Sequence, residues 1–255
     1  MTEINDLLCK ACTKGDKKEV LISIENGAND WNGGLYEACL GGHKEVVLMM
    51  IEKGANEWNW GLYTACRGGH KEMILMMIEK GANDWNYGLY EACVGAKKEI
   101  IQMLIEKGAN NWNYGLSGAC FGGKKEIIQL MIKKGATDWI NGLASACYGG
   151  HKEIVLMMLE KGANDWNSGL RGACAEGHEE IMLMMIEKGA TNLHKLTKYP
   201  EDESILIYLI QKGVSKDKLK EVKNIESLYE RLEEIDNMLY YIMPKELIQI
   251  VEEYI

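Results

Sequence analysis

Two cysteines near the start of the chain have the first spacing that could support chemistry. Cys9 and Cys12 are separated by two residues, as in redox-active and zinc-binding cysteine pairs. A structural zinc site needs four ligands, and the sequence contains no second pair of this spacing. Cys12 also belongs to a series that recurs every 27 residues, which gives it a packing role. We therefore predict neither a redox centre nor a metal site.

The other cysteines follow this regular series. Seven of the eight occupy one position of the 27-residue period: Cys12, Cys39, Cys66, Cys93, Cys120, Cys147 and Cys174. Equivalent helices in stacked repeats lie roughly 8 to 10 Å apart, whereas a disulfide requires Cα atoms within about 7 Å. We expect reduced thiols packed in the core of a cytoplasmic protein, not a disulfide framework.

Two other motifs match catalytic or nucleotide-binding patterns only in part. Gly118 to Lys125 reads GACFGGKK, but Lys125 stands where a phosphate-binding loop needs a hydroxyl for magnesium. His178 and Glu179 begin a zinc-protease pattern, yet Met182 replaces its second histidine. The acidic residues recur at 27-residue spacing, which does not bring two carboxylates onto one substrate. We predict no catalytic residue, no metal ligand and no cofactor, and hence no enzyme.

The charge and hydropathy of the chain argue against some classes of partner. Its net charge of −9 is spread as mixed lysine–glutamate pairs, which argues against nucleic acid as a partner. The sequence has no run of about 18 apolar residues that would predict a membrane span. Its start, MTEIND, lacks the basic and hydrophobic segments of a secretion signal. We expect a soluble, cytoplasmic protein that binds neither nucleic acid nor membrane.

The cysteines belong to a repeated structural element, which positions them and the other side chains of each repeat. Tryptophan recurs with the same 27-residue period, within the phrases GANDWN, GANEWN, GANNWN and GATDWI. Between two such phrases we predict two helices, such as Leu35 to Leu40 and His43 to Lys53, separated by Gly41-Gly42 and closed by Gly54. The histidine that follows several of these glycine pairs is expected to make a contact at the turn or at the helix start.

The apolar residues of each repeat predict how it packs. Leu35, Ala38 and Cys39 are spaced at i, i+3 and i+4, which places them on one face of the first helix. The second helix is apolar on most sides, as expected for a layer between neighbouring repeats. A repeat of this size cannot bury its own core, so we expect one cooperative stack.

The repeat resembles the ankyrin repeat, whose familiar pattern reads TPLHLAA, then GH, then EIVKLLLEAGADVN. The matching residues of one copy are Leu35, Ala38, Gly42-His43, Glu45, Val46-Val47 and Gly54-Ala55-Asn56. The likeness covers residues 1 to about 190 in seven copies, and a degenerate copy follows to Gly213. It implies an all-α, ankyrin-type helical-repeat solenoid over residues 1–213 and a separate C-terminal helical segment over residues 214–255.

Each copy is shorter than the family's usual unit of about 33 residues. The missing residues fall where a β-hairpin finger normally joins neighbouring units. The resemblance therefore implies shortened loops that lack β-hairpin fingers, with the tryptophans packed between the loops. Such arrays are similar to those in ankyrin proteins of large DNA viruses of amoebae, which would place a viral protein in the host cytoplasm.

Positions that differ between the copies indicate a binding surface. They lie at i, i+3, i+4 and i+7 of the first helix, opposite the buried leucine–alanine–cysteine stripe. In ankyrin proteins the first helices line the face where partners dock, and aromatic residues and arginine anchor many interfaces. The predicted partner-binding residues are Trp60, Tyr63, Arg67, Tyr87, Tyr90, Tyr114, Phe121 and Tyr148. Alternatively, some of these aromatic side chains fill the space left by the missing hairpins. We predict a protein–protein interaction scaffold.

The C-terminal end carries a different pattern. Residues 243–255 read MPKELIQIVEEYI, which predicts a short amphipathic helix with proline in its first turn. This ending resembles the opening of an F-box, LPxELxxxIxxYL, and the truncated F-box-like endings of poxvirus ankyrin proteins. The resemblance implies a ubiquitin-ligase adaptor site at Pro244, Leu247, Val251 and Tyr254, and hence a substrate receptor of a cullin-type ligase. A cap on the end of the stack explains the same pattern, and a self-associating structural protein is a third hypothesis.

Overall fold

The structure, a computed structural model, describes residues 2–191, 204–211, 213–215, 219, 225–231 and 233. The chain divides into two compact units, Met1–Ala163 and Asn164–Ile255. Every regular element within the described residues is a helix, and no strand occurs among them. The predicted all-α repeat fold without β-hairpin fingers is thereby confirmed for this part of the chain. The domain boundary after residue 213 stays a prediction.

The helices of the first unit form pairs. In chain order they are α1 (Thr2–Lys14), α2 (Lys17–Glu25), α3 (Trp31–Gly41), α4 (Lys44–Lys53), α5 (Trp58–Gly68), α6 (Lys71–Glu79), α7 (Trp85–Val94), α8 (Lys98–Glu106), α9 (Trp112–Phe121), α10 (Lys125–Lys134), α11 (Trp139–Tyr148) and α12 (Lys152–Glu160). Each odd-numbered helix is the first helix of a repeat and the next helix is its second, so this unit contains repeats 1 to 6.

The second unit contains a seventh pair of the same kind. Its helices are α13 (Trp166–Glu176), α14 (Glu179–Lys188) and α15 (Ser204–Gln211), and residues 225–231 are also helical. Helix α13 packs against α14, which also contacts α15. The pair therefore repeats the arrangement seen in the first unit.

The first helices of neighbouring repeats lie side by side within the first unit. Helix α1 contacts α3, and the same contact joins α3 to α5, α5 to α7, α7 to α9 and α9 to α11. Each first helix also packs against the second helix of its own repeat. Residues 2–163 thus form the helical-repeat solenoid that the 27-residue period predicts.

Leucine, alanine and cysteine of the first helices form the core. Leu35, Ala38 and Cys39 are fully buried, as are their equivalents in repeats 3 to 6. The second helices add β-branched residues and methionine, such as the fully buried Val47 and Met50. The predicted buried stripe is confirmed.

The first helix of each repeat begins earlier than the sequence predicts. Helix α3 starts at Trp31, not at Leu35, because Asp30 is its N-cap residue and accepts a hydrogen bond from the backbone N–H of Gly33 at 2.9 Å. Aspartate or asparagine caps α7, α9 and α11 in the same way. The tryptophans are therefore helix residues and not loop residues, although the rings of Trp112 and Trp166 do lie beside Gly135 and Gly189, which follow the second helices. They are the first residues of their helices and are half-buried.

An asparagine in each of several first helices joins neighbouring repeats. The side-chain oxygen of Asn59 accepts hydrogen bonds from the backbone N–H of Asn83 at 2.9 Å and of Asp84 at 3.1 Å. The same pair of bonds is made to the following repeat by Asn5, Asn32, Asn86 and Asn113. These amides precede the helix and have no helical acceptor of their own, so the asparagine satisfies them.

The two glycines between the helices have different functions. Gly41 ends α3, and a Cβ there would lie 2.7 Å from the carbonyl oxygen of Thr13, so its bare backbone lets α3 approach α1. Gly42 has a φ of +75°, which glycine adopts without strain, and a Cβ there would lie 2.4 Å from Nδ1 of His70. The predicted histidine contact at the turn is confirmed, since Nε2 of His43 donates to the carbonyl oxygen of Thr13 at 2.9 Å.

Ala96 occupies, in repeat 4, the position of Gly42 in repeat 2. Its φ is +52°, and no other non-glycine residue in the described part of the chain has a positive φ. His70 faces Gly42 from the next repeat, and the residue in the equivalent position opposite Ala96 is Lys124. At Gly69, which faces Lys97, a Cβ would meet only the flexible aliphatic carbons of that lysine. A lysine in the following repeat therefore makes room for alanine where a histidine ring does not.

Candidate partner-binding surface

Four first helices carry the predicted partner-binding residues. Helix α5 holds Trp60, Tyr63 and Arg67, α7 holds Tyr87 and Tyr90, α9 holds Tyr114 and Phe121, and α11 holds Tyr148. All eight residues lie in the first unit, where each of these helices contacts the next. Repeat stacking therefore places them on neighbouring helices.

Five aromatic side chains make a continuous run of ring contacts, here called the aromatic cluster. Its members are Tyr36, Trp60, Tyr63, Tyr87 and Tyr90, with successive ring centroids 5.9, 5.7, 4.3 and 5.6 Å apart. These distances are close to the range of about 4.5 to 7 Å that favours aromatic pairs. Trp60 is 52% exposed, whereas the four tyrosines are half-buried. The cluster thus packs between repeats and also presents a tryptophan to solvent.

Carboxylates of the following repeat fix two of these tyrosines. The hydroxyl of Tyr63 donates to Oδ2 of Asp84 at 2.6 Å, and the hydroxyl of Tyr36 donates to Glu57. Both acids occupy the N-cap position of a first helix. Burial, and then these hydrogen bonds, raise the pKa of both hydroxyls above the ordinary value. The two tyrosines remain protonated donors at neutral pH, which holds their rings in place.

Arg67 is paired within the protein. Its Nε and Nη2 donate to the two carboxylate oxygens of Glu91 at 2.5 and 3.0 Å. Glu91 is only 5% exposed, and a buried carboxylate requires such a partner because an unpaired charge is costly to bury. The Arg67 side chain stays 47% exposed, so part of it still faces solvent.

The surface continues more sparsely on α9 and α11. The rings of Phe121 and Tyr148 pack with centroids 5.7 Å apart. Tyr114 is 49% and Tyr148 is 41% exposed, whereas Phe121 is half-buried. Among the predicted aromatic residues, Trp60, Tyr114 and Tyr148 therefore have the most surface available to a partner. The half-buried rings also agree with the alternative that some aromatics fill space between repeats.

The predicted partner-binding set omitted Tyr36 and the carboxylates Glu57, Asp84 and Glu91, although Tyr36 and Glu91 occupy variable positions of the first helices. Tyr36 occupies the same repeat position as Tyr63 and Tyr90, so the 27-residue period itself could have identified it. Glu57 follows the tyrosine that it contacts by 21 residues, and Glu91 follows its arginine by 24. These spacings indicate a contact only when the stacking register is known.

Carboxylates outnumber cations on the surface formed by α3, α5, α7, α9 and α11. These helices and their N-cap residues contain one guanidinium, that of Arg67, which is paired with Glu91. Their carboxylates are Asp30, Glu37, Glu57, Asp84, Glu91 and Asp138. The surface is therefore acidic.

A shallow depression lies at the most exposed part of the aromatic cluster. Its lining residues are Asn56, Glu57, Trp58, Asn59, Trp60, Tyr63 and Gly81. Rings and a carboxylate thus meet in one open concavity on α5 and the loop that precedes it.

Burial keeps the thiols of the array protonated. Burial raises the pKa of Cys12 and Cys39 to about 12. Burial, with the nearby carboxylates of Asp30 and Glu37, raises the pKa of Cys9 to about 11. Thiolate is therefore scarce at neutral pH. Over the described ranges, no three His, Cys, Asp or Glu side chains lie close enough to hold a metal ion.

The predicted adaptor residues cannot be placed. Pro244, Leu247, Val251 and Tyr254 all lie outside the described residues. The ligase-adaptor site and the cap on the stack both stay predictions.

Comparison with known proteins does not assign a family. None of the helices in the described part of the chain is long and apolar enough to span a membrane. No protein-family model matches the chain, and no curated protein matches it. The geometry of the aromatic cluster and its acidic surroundings therefore carries the functional inference.

Proposed function

We propose that the chain is a protein-binding scaffold, an ankyrin-type array whose first helices bind a partner protein. One observation carries this proposal: a tryptophan that is 52% exposed stands within a cluster of half-buried tyrosines. Tryptophan, tyrosine and arginine dominate the binding energy of protein interfaces, and such residues act best when their neighbours exclude water.

The surface is pre-organised for binding. Ring contacts fix Trp60 between Tyr36 and Tyr63, and hydrogen bonds hold both tyrosines to the following repeat. Ordering a mobile side chain on binding costs about 0.5–1.5 kcal/mol. Side chains that are already held in place avoid most of this cost, which favours a binding role.

A binding role also suits the chemistry of the described residues better than catalysis does. The repeats space similar side chains along an open surface instead of gathering acids and bases around one substrate. All eight cysteines are free thiols, which supports a location in the cytoplasm, or in the host cytoplasm for a viral protein.

Affinity purification with surface variants tests the proposal. We expect Trp60→Ala, Tyr114→Ala and Tyr148→Ala together to remove the partner proteins that the unaltered chain retains. The matched control replaces Leu48, Leu75 and Leu156 with alanine, because these side chains of second helices are 41%, 41% and 44% exposed. If both triple variants retain the same partners, or if both lose them equally, the first helices are not the binding surface.

The C-terminal motif supports a more specific version of this role. In that version the array selects a target and residues 243–255 recruit the adaptor subunit of a ubiquitin ligase. The motif alone supports it, through the resemblance of MPKELIQIVEEYI to the F-box opening.

A further inference from the structure

The depression beside Trp60 combines two features that attract a cation. The rings of Trp60 and Tyr63 line it, and so does the carboxylate-bearing Glu57. A cation within about 6 Å of an aromatic ring centroid is attracted by the electron-rich face of the ring. Glu57 accepts a hydrogen bond from Tyr36, but a carboxylate has roughly four acceptor positions. It can therefore receive a second donor.

The hydrogen bonds of the tyrosines strengthen this attraction. Tyr36 and Tyr63 each donate their hydroxyl hydrogen to a carboxylate. A phenol polarised by an anionic acceptor carries more negative charge on its ring, because hydrogen-bonded groups polarise one another. The aromatic cluster is thus more electron-rich than isolated tyrosines would be.

The charge of the surrounding surface selects the same kind of ligand. The first helices α3, α5, α7, α9 and α11 and their caps carry five carboxylates besides the buried Glu91, whose charge is paired with that of Arg67, the single guanidinium of these helices. An acidic peptide would be repelled here, whereas a basic one would be attracted.

The protein places ammonium groups over tryptophan elsewhere. Nζ of Lys134 lies 5.7 Å from the ring centroid of Trp112, and Nζ of Lys161 lies 5.8 Å from that of Trp139. These tryptophans are half-buried helix starts, whereas Trp60 is the more exposed ring and has a carboxylate beside it. A cation from another molecule can make the same kind of contact with the exposed part of Trp60.

Building on the proposed scaffold function, we infer that this depression binds a lysine or arginine side chain of a basic segment in the partner protein. The cation lies over Trp60 and Tyr63, and Glu57 accepts its N–H groups. Recognition thus requires a cation in the partner segment.

A peptide-display selection on the full-length protein tests the inference. Random peptides are selected against the unaltered chain, and the enriched peptides are then titrated against three variants. Trp60→Leu removes the ring, and Glu57→Gln removes the charge but keeps an acceptor for Tyr36. Glu153→Gln is the matched control, because it neutralises an exposed carboxylate on the second helix α12. Circular dichroism confirms that each variant stays folded.

We expect the enriched peptides to share a lysine or arginine. Trp60→Leu should weaken binding by roughly 2- to 30-fold, as expected for losing a cation–π contact. Glu57→Gln should weaken it by roughly 1.5- to 5-fold, as expected for losing an exposed ion pair. Glu153→Gln should leave the affinity unchanged, and replacing the shared cation with glutamine should reproduce the loss.

Two other results would overturn the inference, and they differ in what they imply for the scaffold function. Peptides that require Trp60 but share no cation, or bind Glu57→Gln with full affinity, would refute the cation site and leave the docking surface standing. If no selected peptide requires Trp60, both the cation site and the proposed docking surface fail.

Discussion

Replacing Ala96 with glycine should stabilise the protein. Its φ of +52° is a left-handed conformation that costs a residue with a side chain roughly 1–2 kcal/mol. Glycine removes this strain but gains freedom in the unfolded chain, which offsets about 0.4–1 kcal/mol. At the middle of both ranges the net gain is about 0.8 kcal/mol, which corresponds to a rise in Tm of roughly 2–3 °C for a chain of this size.

Two reverse substitutions separate backbone strain from collision with the next repeat. Gly42 and Gly69 have similar φ values of +75° and +84°. A Cβ at Gly42 would lie 2.4 Å from the ring of His70, whereas a Cβ at Gly69 would lie 2.8 Å from the flexible Lys97. We expect Gly69→Ala to cost about 0.8 kcal/mol net, because the lower entropy of the unfolded alanine chain again offsets part of the strain. Gly42→Ala should cost about 1–3 kcal/mol more, because the imidazole must shift.

Urea titration followed by circular dichroism and by tryptophan fluorescence measures these changes. The midpoint reports stability at constant slope, and agreement of the two probes checks that unfolding remains cooperative. An unchanged or lower stability of Ala96→Gly would refute the argument from strain. Equal losses for the two alanine variants would refute the argument that the histidine ring excludes a side chain.

Three further predictions concern the repeat junctions, the core thiols and the C-terminal end. Asn86→Ala should destabilise the array by about 1–3 kcal/mol in the same titration, because two backbone N–H groups lose their acceptor. Asn86→Asp keeps the accepting oxygen and should therefore lose less stability. An equal loss of stability for the two variants would contradict this account. Burial raises the pKa of the Cys93 and Cys120 thiols from 9.0 to about 12, so the native state keeps protons that the unfolded state releases above pH 9. The stability from these thiols is complete below pH 9 and is lost as pH rises from 9 toward 12. Tm should therefore fall between pH 9 and pH 11, and Cys93→Ala should flatten that slope. A slope that the variant does not change would contradict this assignment. Affinity purification with mass spectrometry should recover ubiquitin-ligase subunits with the full chain but not with a chain ending at Ile242. If both chains recover the same other partners and no ligase subunits, residues 243–255 are a cap on the stack.

The repeat and its core were accessible from the sequence because they depend on period alone. Leu35, Ala38 and Cys39 recur at fixed spacing, and all three are fully buried. The start of the first helix was not accessible from the sequence, because the phrase GANDWN has the composition of a loop. It indicates a helix start only once Asp30 is recognised as an N-cap residue. Its hydrogen bond to the backbone takes the next residues, Trp31 and Asn32, into the helix.

The candidate surface was predictable as a set of residue types but not as a set of contacts. Variation between copies identified Trp60 and Tyr63, yet their exposure differs because repeat stacking covers one ring and leaves the other open. The pairing of Arg67 with Glu91 depends on how far one repeat is shifted against the next. That register is set by close packing of glycine against backbone, as at Gly41, and composition does not report it.

The asparagine bonds between repeats have an evolutionary consequence. Each of these asparagines accepts from amides 24 and 25 residues ahead, so these hydrogen bonds are interchangeable among the junctions of repeats 1 to 6. Deleting or duplicating 27 residues in this region would join an old acceptor to an equivalent donor and recreate the same junction. Recombination between copies of the coding sequence can therefore lengthen or shorten the array without a new interface having to evolve. The ligand preference of the surface can then change one module at a time while the coupling between modules is inherited intact.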